Sequence, residues 1–173
     1  MKALKNIIPV AVMTVVMLFM LGGCGETEKS MSKADYASSV VLLYSQYSDK
    51  FDEISTAIQK GQRVTITNLC DEAEVILDDM QALKPPLAFK DEHKKISKCC
   101  DYEKEKLELQ KEYIGLLKDT AEMTDKEKER QKEIEDKMSE LSAKSGNFYN
   151  EVDNLAKQQL QTQTSSDGNM VNW

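Results

Sequence analysis

The chain has 173 residues, 30 acidic against 23 basic, for a formal charge of −7. That balance is opposed to nucleic acid, whose phosphates require clustered Lys and Arg. With one histidine, it offers no glycine-rich phosphate loop, no GxSxG elbow and neither an HExxH nor an ExxH pair, so no enzyme activity, cofactor or metal site is expected.

The N-terminus reads as an export signal. Lys2 and Lys5 precede an apolar run from Ile7 to Met20, broken only by Pro9 and Thr14, and the small-residue approach Leu21, Gly22, Gly23 leads to Cys24. The run is shorter than the about 20 apolar residues that span a bilayer, and its layout is that of a removed segment. In this stretch the chain resembles the bacterial lipoproteins, with Leu21 to Cys24 as a lipobox and the polar residues Gly25 to Ser30 after it. The resemblance covers residues 1–24 only. It implies cleavage of residues 1–23, a diacylglyceryl group on the Cys24 sulfur, and a protein anchored by lipid at the extracytoplasmic face of the cell membrane. Two or three acyl chains, at ~0.8 kcal/mol per buried methylene, hold a protein stably where one does not.

Cleavage leaves 150 residues with 21 basic against 30 acidic, a charge of −9. An anionic leaflet repels such a domain, so membrane affinity is expected from the lipid. Residues 24–30 form a tether that extends at most ~3.5 Å per residue, so the domain lies close to the bilayer.

Residues 31–161 read as one all-α domain. Tyr36, Val40, Leu43, Tyr47, Phe51, Ile54 and Ile58 recur at steps of three and four, predicting a helix over about 31–60 that stops near Gly61. Ile66, Leu69, Ala73, Ile76, Met80 and Leu83 predict a second over about 63–84, ended by Pro85 and Pro86. A third, over about 87–122, carries Phe89, Ile96, Cys100, Leu107, Ile114, Leu117 and Ala121 in one heptad frame that also passes through His93, Glu103 and Gln110. Thr124 and Glu127 form a capping box that opens a fourth, over about 125–161, with Ile134, Met138, Leu141, Phe148, Val152 and Leu155 on its stripe. Residues 162–173, ending at Trp173, lack the apolar content to fold.

Four amphipathic helices without strands bury their stripes against one another, which predicts an elongated four-helix bundle running up-down-up-down. Gly115 and Gly146 are the expected bends, and the heptad spacing also leaves a homodimer open.

The remaining candidates are few. His93 is six and seven residues from Cys99 and Cys100, about 10 Å along a helix, too far for a thiol–imidazole pair or a shared zinc ion. The acidic run DEAEVILDD, residues 71–79, lacks the glycine turn of a calcium loop. If the second and third helices turn at Pro85–Pro86, residues equidistant from that turn sit level, since each helix rises ~1.5 Å per residue. This rule places Cys70 opposite Cys100 and Cys99, predicting a Cys70–Cys100 disulfide, with Cys99 as the alternative partner, in an oxidising compartment. The opposing reading has the three as reduced thiols packed like small hydrophobes. The same rule sets Asp78 against His93, which raises the histidine's pKa.

Two function classes follow. The first is a non-enzymatic interaction or structural module at the cell envelope, with another envelope protein as partner. The second is a bundle that binds a hydrophobic molecule or haem between its helices, with His93 as the sole imidazole and Met80 or Met138 as a second ligand.

Overall fold

The computed structural model describes residues 30–117 and 123–167, with side chains through residue 158. The expected signal segment, Cys24, most of the expected tether, Ala121 and the last six residues lie outside the described residues. Within them the fold is an all-α helical bundle with no strand, built from α1 (Lys33–Gln59), α2 (Arg63–Ala82), a 3-10 turn (Leu87–Phe89), α3 (Lys90–Leu116), α4 (Asp125–Ser145) and α5 (Phe148–Asp167).

Local chemistry sets the ends of these helices. Ser32 caps α1, its Oγ accepting from the Asp35 amide at 3.1 Å. At the other end Gly61 adopts φ +63°, donating to the Ile58 carbonyl at 3.0 Å while Gln62 donates to that of Ala57 at 3.0 Å. These are the two bonds of a Schellman motif, and glycine supplies the left-handed position without steric cost. Thr124 and Glu127 close the capping box of α4, the Thr124 amide donating to Glu127 Oε2 at 2.8 Å and the Glu127 amide to Thr124 Oγ1 at 3.3 Å.

The helices alternate in direction. Tyr36 meets His93 and Tyr47 meets Glu103, so α1 and α3 run parallel, with α2 antiparallel between them. Arg130 joins Glu112 at one end of α3 and Lys95 joins Glu151 nearer the other, so α4 and α5 together form the fourth, antiparallel column. The core contains Tyr36 and Val40 of α1, Leu77 and Met80 of α2, Ile96 and Cys100 of α3 and Leu155 of α5, all fully buried.

Several expectations require correction. The fourth column is two helices, broken at Gly146 and Asn147, two residues with low helix propensity. The bend expected at Gly146 is thus an interruption, and α4 packs chiefly on α3 whereas α5 packs on both α1 and α3. With α4 drawn off α1, Phe51 and Ile58 are left 46% and 40% exposed, although their spacing places them on the core stripe. Gly115 stands one residue before the end of α3, which stops at Leu116. Beyond Gln161, where folding was expected to cease, the helical backbone continues to Asp167.

The α2–α3 hairpin has a different register from that expected about Pro85–Pro86. Leu83–Phe89 is spent on the connection, whose Phe89 amide donates back to Pro86 at 2.9 Å. The level pairs are Met80 with Cys100, Asp78 with Lys104 and Asp71 with Lys111, all centred near Lys90. Cys70 is therefore level with the region of Lys111, about ten residues or ~15 Å beyond Cys100.

Candidate functional site

Where the fourth column breaks, α1, α3 and the α4–α5 junction enclose an open cleft of about 290 Å³. Its aromatic lining is Tyr44, Tyr47 and Phe51 from α1 with Phe148 and Tyr149 from the start of α5. Tyr44 meets Phe148 edge-on at 5.0 Å between centroids and Tyr149 at 6.2 Å, geometry favoured by the ring quadrupoles. Tyr149 is 61% exposed, so the cleft opens to solvent while Phe148 and Tyr47 form its buried wall.

A carboxylate stands at the base. Glu103 of α3 is the one buried charged residue among the described residues. Tyr47 Oη donates to its Oε2 at 2.5 Å, and Lys106 Nζ reaches Oε2 and Oε1 at 2.9 and 3.1 Å. Burial and then the Glu103 carboxylate push the Tyr47 phenol far above its ordinary pKa, which keeps it a donor. The Lys106 ammonium also lies over the Phe51 ring, 5.8 Å from its centroid. Sequence reasoning placed Tyr47, Phe51 and Phe148 on core stripes and did not mark this cleft. Glu103 carried a signal, as an acidic residue in the heptad frame between Cys100 and Leu107.

The residues singled out beforehand occupy other places. Cys70, Cys99 and Cys100 are buried free thiols, so the expected Cys70–Cys100 bond, or its Cys99 alternative, is replaced by packing. Cys100 Sγ donates to Met80 Sδ at 3.7 Å, a soft sulfur contact inside the core. Burial raises the Cys100 pKa to about 12 and the Cys70 pKa to about 11. The shifted hairpin register separates these sulfurs along the axis, which accounts for the correction.

His93 lies half-buried, its Nδ1 2.9 Å from Tyr36 Oη. Its expected partner Asp78 instead holds Lys104 at 2.8 Å, and desolvation lowers the histidine's pKa from 6.5 despite a bond to the Gln81 backbone. The direction of the expected pKa shift therefore reverses. A histidine with a lowered folded pKa takes up protons preferentially when unfolded, so stability is full above about pH 6.5 and falls as pH drops below it. Urea midpoints measured from pH 7.5 to 5.5 are expected to decline for the native chain and to decline less for His93→Gln.

The acidic run 71–79 is engaged by α3 lysines, Asp71 and Glu74 with Lys111 at 2.9 and 3.5 Å and Asp78 with Lys104. Met138 lies on α4, next to Lys137, which pairs with Glu105. That level is about a dozen residues, or ~18 Å, along α3 from His93, so the two do not form a common haem ligand pair.

The fold and the site together define an all-α helical bundle with an aromatic cleft built around a buried glutamate. Comparison with protein-family models, curated proteins and solved structures yields no match.

Proposed function

We propose that this protein is a lipid-anchored, non-enzymatic binding module at the extracytoplasmic face of the cell membrane, and that the aromatic cleft is its binding face toward an envelope partner. The observation that carries the reading is the apolar run ending in Leu21, Gly22, Gly23, Cys24 and leading, within nine residues, to the first helix at Lys33. The Met31 amide donates to the Lys84 carbonyl at 3.2 Å, which fastens the incoming chain to the α2–α3 turn. A tether at Cys24 then presents that end of the bundle to the bilayer. Tyr47 lies fourteen residues along α1 from Lys33, so the cleft stands ~20 Å farther out, clear of the headgroups.

The expected result is that the native chain partitions with membranes and that Cys24→Ser is released, because the thioether carrying the acyl chains cannot form. Fractionation and immunoblotting check this. A Cys24→Ser chain that remains as membrane-bound as the native one refutes lipid anchoring.

A further inference from the structure

We infer that the cleft between α1, α3 and the α4–α5 junction binds a primary alkylammonium group, and that the Lys106 ammonium is its displaceable internal occupant. The inference rests on the reading of this cleft as the binding face and names the chemistry it recognises.

The geometry of the occupant carries the argument. Lys106 Nζ takes both oxygens of Glu103, at 2.9 and 3.1 Å, and sits over the face of Phe51. An ammonium group thus meets a carboxylate through its N–H donors and an aromatic ring through its charge, the two attractions that aromatic sites use for organic cations. Glu103 only accepts when ionised, Tyr47 already fills part of Oε2, and the remaining lone pairs face a donor. Lys106 supplies that donor on a flexible four-carbon stem, and it lines a cleft that opens to solvent, so the stem has a route outward when another ammonium arrives. Space for the incoming group exists beside it, about 290 Å³, at the small end of ligand sites. Tyr44 and Tyr149 wall that space, giving the alkyl part aromatic surface to contact, and the acidic chain, at −9 once residues 1–23 are removed, favours the approach of cations.

A primary ammonium is selected over a quaternary one because Glu103 requires N–H donors. The group can come from a small free amine or from a lysine side chain of a partner polypeptide.

The test is an NMR titration of the full chain with n-butylammonium, following the ring protons of Tyr44, Tyr47, Phe51, Phe148 and Tyr149. Saturable shifts confined to these rings are expected, with about tenfold tighter binding to Lys106→Met, where the internal competitor is absent, and about tenfold weaker binding to Glu103→Gln. Tetramethylammonium, which has no N–H, is expected to bind more weakly than n-butylammonium. No saturable shift in the native chain or in Lys106→Met overturns the inference, as does equal binding of tetramethylammonium. Should Lys106→Met fail to give a helical circular dichroism spectrum, the native and Glu103→Gln titrations decide alone. Tighter binding of Nα-acetyl-lysine amide than of n-butylammonium assigns the ammonium to a polypeptide lysine, and weaker binding assigns it to a small amine. Repeating the titration on Cys24→Ser separates the two readings, since loss of the anchor leaves cleft binding intact and loss of cleft binding leaves membrane partition intact.

Discussion

Leu77→Ala is expected to lower the unfolding free energy by about 2 to 5 kcal/mol, the range for truncating a fully buried leucine. Leu77 has no exposed surface and stands on α2 in the core shared by α1, α3 and α5. The lost transfer energy adds to the cost of a cavity that packed helices fill only in part. Since whole domains are stable by about 5 to 15 kcal/mol, the change is a large fraction of the total. Val75, two residues earlier, is 49% exposed, and Val75→Ala is expected to stay within about 0.5 kcal/mol. Urea denaturation followed by circular dichroism at 222 nm measures both. Equal midpoints for the two variants contradict the assigned core face of α2.

The second large effect concerns the hydrogen bond at the base of the cleft. Tyr47→Phe removes the donor to Glu103 and leaves a buried carboxylate with one partner fewer, at an expected cost of about 1.5 to 3 kcal/mol, the range for a hydrogen bond to a charged group. Tyr47→Phe combined with Glu103→Leu removes both ends of this hydrogen bond and is expected to recover most of that loss, because apolar side chains of similar volume leave neither end desolvated and unpaired, while Lys106, freed from Glu103, turns its ammonium to solvent on its four-carbon stem. The same unfolding measurements on the two single variants and the double variant form a cycle that isolates the coupling. Recovery in the double variant means that the carboxylate is not held in the bundle for stability. A double variant at least as unstable as Tyr47→Phe rejects this account.

Residues that obey the helical period show how much of the fold was legible. Thr124 with Glu127, Gly61 and the Pro85–Pro86 pair mark ends that structure and sequence place alike, since capping and proline geometry act within a few residues. On α2 the stripe was read through Ile76, yet the fully buried residue is Leu77, with Ile76 only partly buried. A stripe at 3,4 spacing is wide enough to admit either neighbour, and packing of the other helices selects between them. The cleft was the least legible feature. The roles of Tyr44 and Tyr149 depend on where α4 leaves α1, and only Glu103, the one acidic residue in the heptad frame of α3, pointed toward it.

The sequence by itself determined the all-α class, the starts and stops of α1 and α2, the start of α4, and most of the apolar stripes, because each depends on hydrogen bonds and side-chain spacing within one or two turns. The tertiary structure decided the hairpin register, which moved with the length of Leu83–Phe89 and separated Cys70 from Cys100. It also decided that the bend legible at Gly146 becomes a full break, which opens the cleft. Both depend on how a short connection is spent between long helices: a shift of a few residues there carries every later side chain to a new level, and no periodicity within a helix records it.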